Sequence, residues 1–180
     1  MPPNHCLNGL SLGLVLSAAL AGTGLGAGAQ QLQGSRGHYT VSITVPVSAA
    51  QAWRVLTRYE AMAGQMPDIR QAKVLRRNGS ELELAQTYQA AYTFGLPIRA
   101  TLLLQEQAPR SLTYSLIRGE RLRSLSGSWT ITPIAGGVSV VHRIAIDPDL
   151  PGFLRPTYDE LSEANLRDSM LVLKRLMLTP

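Results

Sequence analysis

Residues 125–146, LSGSWTITPIAGGVSVVHRIAI, predict two antiparallel β-strands joined by a tight turn. Apolar and polar residues alternate along both halves, which is typical of strands with one buried face. The alternation places the ring of Trp129 and the imidazole of His142 on the same inner side. Ala135-Gly136-Gly137 predicts the turn, because glycine adopts the positive φ angles that short hairpin loops need. The stretch therefore predicts a half-buried hairpin that carries one large aromatic and one titratable ring inward.

The same two-residue period recurs in five other segments of the chain. These predicted strands cover residues 39–45, 69–77, 81–94, 97–105 and 112–116. Asn78-Gly79 predicts the hairpin turn between the second and third of them. With the opening hairpin, the segments make seven predicted strands.

Helices are predicted on both sides of this run of strands. Ser48-Ala49-Ala50-Gln51 matches a capping box and predicts one short helix, and residues 60–65 predict a second. A second capping box at Thr157 starts a long helix whose apolar stripe is Leu166, Met170, Leu173 and Met177. The order predicts an α+β fold with a curved seven-stranded antiparallel sheet around a long C-terminal helix, and with two short helices after strand one.

The first 29 residues differ from the rest, because they contain no Lys, Arg, Asp or Glu. Residues 7–25 are rich in Leu, Ala and Gly, and Ala27-Gly28-Ala29 is a small-x-small pattern before Gln30, which is typical of a cleaved signal peptide. We therefore expect export to the periplasm or another extracytoplasmic compartment. The alternative is an uncleaved membrane anchor, since the start MPPNH lacks a basic residue. Residues 30–37 are expected to be a flexible lead-in, and residues 38–180 the folded domain.

The charge balance indicates a basic surface, because the net charge is +5 and 15 of the 17 basic residues are arginine. Two clusters contribute, one at Arg70, Lys73, Arg76 and Arg77, and one at Arg118, Arg121 and Arg123. Such a face is expected either to be simply solvated or to contact an anionic membrane surface. No nucleic-acid partner is predicted, because the arginines are not interleaved with exposed-looking aromatics or set in a recognition helix.

Cysteine and histidine usage excludes several chemistries for the folded domain. The single cysteine, Cys6, lies in the targeting segment, so the domain has neither a disulfide nor a thiol nucleophile. His38 and His142 are too few for a structural zinc site without cysteines. No metal and no cofactor are predicted.

Candidate site residues are those that the alternation places on the inner face. They are Gln86, Tyr88, Tyr92, Tyr114, Trp129 and His142, with Met66 at the predicted entrance and Met170 on the long helix. His142 either hydrogen-bonds a ligand and moves a proton, or is a core histidine with satisfied hydrogen bonds. Buried tyrosine hydroxyls need partners, which are one another, water or a ligand. Trp129 is interpreted mainly as a packing anchor, and Met66 as an adaptable lip, since methionine repacks easily.

Three stretches resemble the START-like superfamily, also called SRPBCC or helix-grip. Residues 45–59, VPVSAAQAWRVLTRY, resemble the entry of that fold, and Met66-Pro67-Asp68-Ile69 resembles its turn into the second strand. Gly127-Ser128-Trp129, Gly136-Gly137 and the proline-rich segment 148–156 resemble the polyketide cyclase/dehydrase and coenzyme-Q-binding branch. The resemblance implies a deep cavity between sheet and last helix that is suited to a hydrophobic ligand, and it brings no universal catalytic motif.

Three functions are consistent with this sequence. The first is an exported carrier that holds a lipophilic molecule, such as a lipid, quinone, pigment or isoprenoid, without changing it. The second is a cyclase or dehydratase that uses His142 as general acid or base, with Tyr88 or Tyr114 orienting a carbonyl. The third is a non-catalytic interaction module. The signal-like segment favours the first, because a lipophile needs a container in an aqueous compartment beside a membrane.

Overall fold

The computed structural model describes residues 30–179, in which eight β-strands and three α-helices form. The helices are α1 (Ala49–Leu56), α2 (Tyr59–Met62) and α3 (Arg155–Leu178), with 3-10 turns at Ala91–Thr93 and Gly152–Leu154. The strands are β1 (Gln31–Ser35), β2 (His38–Val45), β3 (Ile69–Asn78), β4 (Glu81–Tyr88), β5 (Ile98–Gln107), β6 (Ser111–Gly119), β7 (Leu122–Ile134) and β8 (Gly137–Pro148). They pair antiparallel in one sheet of order β1-β2-β8-β7-β6-β5-β4-β3.

The predicted α+β helix-grip architecture is confirmed, but the predicted strand number of seven is wrong by one. The segment that was expected to be a flexible lead-in forms β1, which pairs with β2 from Gln31↔Ser42 to Ser35↔His38. Leu32 is the one half-buried residue of this exposed edge strand, so its sequence shows no apolar alternation. The predicted signal segment, residues 1–29, lies outside the described residues.

The opening hairpin is confirmed as β7 and β8, with Trp129 directly opposite His142. Its inner row is buried, from Leu125 and Ile131 on β7 to Val138 and Val140 on β8. Gly136 turns the chain with φ of +79°. The hairpin lies near the middle of the sheet, so its inner face has strands on both sides.

The third predicted strand is too long, because β4 ends at Tyr88 rather than at position 94. The chain then turns through Ala91–Thr93, where the Thr93 hydroxyl accepts from the Ala90 amide at 3.1 Å and donates to the Ala90 carbonyl at 2.9 Å. A threonine side chain that bonds the nearby backbone competes with strand pairing. Tyr92 therefore lies on a 3-10 turn and not on a strand.

The two predicted capping boxes have different outcomes. Ser48 does cap α1, accepting from the Gln51 amide at 3.1 Å, but the Gln51 side chain donates to the Met177 carbonyl at 2.8 Å instead of reaching back. The box at Thr157 is wrong, because α3 already begins at Arg155. Proline in the first turn suits this earlier start, since a first-turn amide has no partner within the helix.

Helix α3 covers the concave face of the sheet and completes the core. Its predicted stripe is confirmed at Met170, Leu173 and Met177, each at most 1% exposed. The hydrogen bond from Gln51 to Met177 attaches the end of α3 to α1. None of the helices in residues 30–179 combines the length and apolarity needed to cross a membrane.

Candidate ligand-binding site

A cavity of about 200 Å³ lies between the sheet, α3 and the segment that contains α1 and α2. Aliphatic and aromatic side chains make up most of its wall, with a few polar groups among them. The wall includes all eight residues that the sequence proposed: Met66, Gln86, Tyr88, Tyr92, Tyr114, Trp129, His142 and Met170. Their placement around one cavity is geometry, and ligand contact at these residues stays a prediction.

His142 is held between two aromatic side chains on the inner wall. Its ring stacks on Trp129, with centroids 3.9 Å apart and planes 3° from parallel. Its Nε2 atom is 2.8 Å from the Tyr114 hydroxyl, and the tautomer sets which of the two donates. The stack follows from the register, because Trp129 and His142 are a cross-strand pair. Trp129 thus does act as a packing partner, and the surface that it packs against is the histidine ring.

The electrostatics of this pair keep the histidine neutral. Burial lowers the pKa of His142 from 6.5 to about 3. Burial likewise raises the pKa of the Tyr114 hydroxyl well above its ordinary value of 10.0. An efficient general base or acid has a pKa near the working pH, so His142 is poorly suited to proton transfer at neutral pH. It is well suited to hold a neutral hydrogen bond in an apolar wall.

Gly127 makes the contact between Tyr114 and His142 possible. Tyr114 pairs with Gly127 across β6 and β7, and a Cβ at position 127 would lie 2.4 Å from the Tyr114 hydroxyl oxygen. The tyrosine therefore crosses β7 over a glycine and reaches His142 on the next strand. Sequence reasoning placed Gly127 on the inner face but did not identify it as this gap.

Gln86 and Tyr88 form a second polar pair on β4. The Tyr88 hydroxyl donates to Gln86 Oε1 at 2.5 Å, as side chains two residues apart on one strand face allow. Burial, together with the negative charge of Asp68, raises the pKa of Tyr88 above its ordinary value. The partly exposed surface of both side chains faces the cavity, where a ligand would meet it.

Tyr92 reaches the cavity from its 3-10 turn and meets an acidic residue that sequence reasoning missed. Its hydroxyl donates to Asp68 Oδ2 at 3.2 Å, and its ring meets Tyr158 of α3 edge-on at 5.8 Å. Asp68 lines the cavity just before β3. In the sequence, Asp68 was only part of the Met66-Pro67-Asp68-Ile69 stretch that resembles the turn into the second strand, and no strand periodicity includes it.

The two methionines reach the cavity from different parts of the chain, Met66 from the segment between α2 and β3 and Met170 from α3. Met66 is 6% exposed and lines the wall near the half-buried Met62, where the sequence predicted an adaptable lip. Met170 fills the interface between α3 and the sheet. Both thioethers can repack around ligands of different shape.

At one end of the sheet, two of the residues that line the cavity, Phe94 and Arg121, are exposed, and we call this end the mouth. Three loops meet there, because the Glu120 amide donates to the Arg99 carbonyl and the Asp149 amide to the Arg121 carbonyl, each at 2.9 Å. Large apolar side chains project from two of these loops. They are Phe94 at 42% exposure, Leu96 at 45% and Phe153 at 80%.

The predicted basic clusters are partly neutralised by ion pairs. Arg76 contacts Glu83 at 2.7 Å, and Arg123 contacts Asp149 at 2.7 Å. Arg77 contacts Glu106 at 2.9 Å, and that carboxylate also accepts from the Tyr59 hydroxyl at 2.6 Å. Exposed pairs of this kind add little stability, but they lower the positive potential of the surface. In the part of the chain that the structure describes, no group of His, Cys, Asp and Glu has the geometry to hold a metal ion.

Comparisons with known proteins agree with this geometry. Residues 36–177 match the family described as polyketide cyclase/dehydrase and lipid transport. No curated protein sequence is significantly similar to the chain. A protein from Thermus thermophilus has a similar solved structure, with a TM-score of 0.69 at 17% identity over 77% of this chain and 95% of its own.

Two other solved structures with the same fold belong to proteins of different kinds. The Zhui aromatase/cyclase from Streptomyces sp. R1128 matches with a TM-score of 0.64 at 15% identity, over 82% of this chain and 92% of its own. A STAR-related lipid transfer protein from Xanthomonas axonopodis matches with a TM-score of 0.64 at 14% identity, over 85% of this chain and 99% of its own. Likeness at such identities shows the fold alone, and the fold hosts both kinds of protein.

Proposed function

Because the chain belongs to the polyketide cyclase/dehydrase and lipid transport family, we propose that it binds and carries a lipophilic small molecule, such as a lipid, quinone, pigment or isoprenoid. The observation that carries the proposal is the cavity under α3, whose wall is mainly apolar with isolated polar groups. That composition is typical of small-molecule sites. Its volume of about 200 Å³ favours a small ligand, or one whose entry moves the methionine lip.

The neutral state of His142 favours the carrier function rather than catalysis. The cyclase or dehydratase alternative needs this ring to take or give a proton, yet its pKa of about 3 leaves it neutral and weakly basic. Its Nε2 atom is already bonded to the Tyr114 hydroxyl. The same two groups suit a carrier, in which a neutral histidine and a tyrosine orient a ligand without reacting with it.

Export is part of the proposal. Its support is the charge-free apolar run at residues 7–25, followed by Ala27-Gly28-Ala29 before Gln30. A carrier in an aqueous compartment beside a membrane has a clear task, because lipophiles do not cross water unaided. An uncleaved anchor at the same segment would keep the carrier next to the bilayer.

The first test is recovery of a loaded, processed protein. The protein purified from the extracytoplasmic fraction of its own host should begin at Gln30. It should also carry a lipophile that native mass spectrometry detects and that organic solvent removes. Ile98→Trp should abolish this loading, because Ile98 lines the cavity. Ile117→Trp is the matched control, since Ile117 lies on β6 and is 49% exposed.

Two outcomes would overturn the carrier function. One is wild-type protein that is always empty and binds nothing in a panel of lipids, quinones and isoprenoids. The other is equal loading of wild type and Ile98→Trp, which would place the bound molecule outside the cavity. Recovery of the chain only from the cytoplasm would overturn export and leave the carrier function in place.

Membrane contact is proposed at the cavity mouth, where Arg121 of the second basic cluster lines the cavity. Other arginines of the two clusters, Arg76, Arg77 and Arg123, are in ion pairs. Phe94, Leu96 and Phe153 provide exposed apolar surface there, and Arg121 provides a positive charge for anionic head groups. Contact at this end would let a ligand pass between bilayer and cavity without crossing water.

Vesicle flotation tests membrane contact at the mouth of the cavity. Binding to phosphatidylglycerol–phosphatidylethanolamine vesicles should fall about tenfold for Phe153→Ser, because a buried Phe side chain contributes about 1.5–3 kcal/mol. Ile134→Ser is the matched control, since Ile134 is 42% exposed but ends β7 at the opposite end of the sheet. Equal loss for both variants would contradict docking through the mouth.

A further inference from the structure

Asp68 is an acidic side chain on an otherwise mainly apolar wall, and the carrier function gives it no role. Its backbone carbonyl accepts from the Gln89 amide at 2.8 Å, which fixes it beside the end of β4. Its side chain lines the cavity and accepts from the Tyr92 hydroxyl at 3.2 Å. Burying a carboxylate costs solvation free energy that one hydrogen bond at 3.2 Å offsets only in part, so the presence of Asp68 in this wall calls for an explanation.

The charge of Asp68 acts on much of the polar wall. Burial raises the pKa of the Asp68 carboxyl above 3.8, while the hydrogen bond from Tyr92 and the charge of Arg70 oppose that rise. In addition to burial, the negative charge of Asp68 raises the pKa of the Tyr88, Tyr92 and Tyr114 hydroxyls. The phenols that line the wall therefore lie in the field of one carboxylate.

No positive group inside the cavity balances this carboxylate, among the residues that the structure describes. His142 is neutral, because burial lowers its pKa to about 3. The cationic side chain that lines the cavity, Arg121, is exposed at the mouth. The inner wall thus offers hydrogen-bond acceptors and negative potential to the polar end of a ligand.

We propose that Asp68, positioned by Tyr92, determines ligand specificity, selecting lipophiles whose polar end is a hydrogen-bond donor, an alcohol or a protonated amine, and rejecting carboxylates. This inference rests on the carrier function and adds the chemistry of the ligand's head. A donor that meets a carboxylate makes a strong charge-assisted hydrogen bond. A ligand carboxylate would meet a like charge away from bulk water, and such repulsion is an effective way to exclude a competitor.

The test uses three probes with one alkyl chain: decylamine, decan-1-ol and decanoate, titrated by calorimetry at neutral pH. Wild type should bind the amine and the alcohol at least about tenfold more tightly than decanoate. Asp68→Asn keeps the shape and removes the charge, so decanoate should gain affinity, decylamine should lose it, and the three should converge. Tyr92→Phe keeps the charge but removes the hydrogen bond that positions it, so the order of the probes should persist with smaller differences between their affinities.

Asp168→Asn is the matched control, because Asp168 is exposed on α3, and it should leave all three affinities unchanged. Equal binding of decanoate and decylamine to wild type would overturn the inference while the carrier function stands. A uniform change of all three affinities in Asp68→Asn would also overturn it, since that would indicate a steric role. If none of the probes binds wild type, the inference falls, and the panel of lipids, quinones and isoprenoids decides the carrier function separately. Should Asp68→Asn not fold, Asp68→Ser and the wild-type order of affinities decide.

Discussion

Gly127→Ala is expected to lower the free energy of unfolding by about 3 kcal/mol, at the upper end of the usual cost of overpacking a core. A Cβ at this position would lie 2.3 Å from the Arg143 carbonyl oxygen and 2.5 Å from the Tyr114 ring. The carbonyl belongs to the sheet and cannot move freely, so the strain passes to β8 and to the tyrosine. Displacing Tyr114 also removes the hydrogen bond to His142 and reshapes the cavity wall.

Thermal unfolding measures this effect, and the midpoint should fall by roughly 6–12 °C for a chain of this size. Binding of a lipophile should weaken in the same variant even at temperatures where it is folded. Gly152→Ala is the matched control, because no heavy atom lies within 4 Å of a Cβ at Gly152. It should stay within about 0.5 kcal/mol of wild type. A Gly127→Ala protein as stable as Gly152→Ala would show that Tyr114 does not cross β7 as described.

The sheet could be predicted because its inner rows repeat. Along β7 and β8, apolar side chains face the core at every second residue, and the turn at Gly136 needs a residue that tolerates positive φ. Both signals are local, so they survive in the sequence alone. The stripe of α3 is readable for the same reason, since it needs only one helix and one apolar partner surface.

Other features depend on partners that are distant in sequence. β1 is a strand because β2 offers it an edge, and with Leu32 as its half-buried residue it carries no alternation. The side chain of Asp68 finds its hydrogen-bond partner in the cavity wall only because the turn at Ala91–Thr93 brings the Tyr92 hydroxyl to it. The side chain of Gln51 does not complete the capping box, because it donates to the Met177 carbonyl at the end of α3 instead. None of these contacts produces a period or a motif.

The sequence could gather the eight candidate site residues around one cavity, but it could not predict their chemistry. The alternation placed His142 inward, and whether it serves as a base or as a core residue depends on its burial and on Tyr114. The strand register places Trp129 opposite His142, where the two rings stack. The alternation in the sequence would be the same if the two side chains only packed as ordinary core residues. Burial therefore decides the role of His142. Its effect on the pKa of this ring can be measured from the pH dependence of the free energy of unfolding.

Acidification is expected to destabilise the protein through His142 well before most carboxylates protonate. In the unfolded chain this ring binds a proton below about pH 6.5, whereas in the folded protein it does so only near pH 3. Between those values the unfolded state holds one more proton, so the free energy of unfolding falls as the pH falls, by about 1.4 kcal/mol per pH unit. From pH 8 to pH 5 the loss from this ring alone should reach about 2 kcal/mol.

Chemical denaturation of wild type and His142→Gln at pH 8, 6.5, 5 and 4 isolates the contribution, since glutamine can keep a hydrogen bond to Tyr114 but does not titrate. The carboxyl groups act alike in both proteins. The raised pKa of Asp68 favours the folded state in acid. The pKa of Glu106 is lowered, because hydrogen bonds from Arg77 and Tyr59 outweigh burial, and this lowered pKa disfavours the folded state in acid. The stability of His142→Gln should therefore decline less steeply than that of wild type between pH 6.5 and 4. Parallel curves for wild type and His142→Gln would mean that folding does not lower the pKa of His142, and the argument from a low pKa against an acid–base role would then fail.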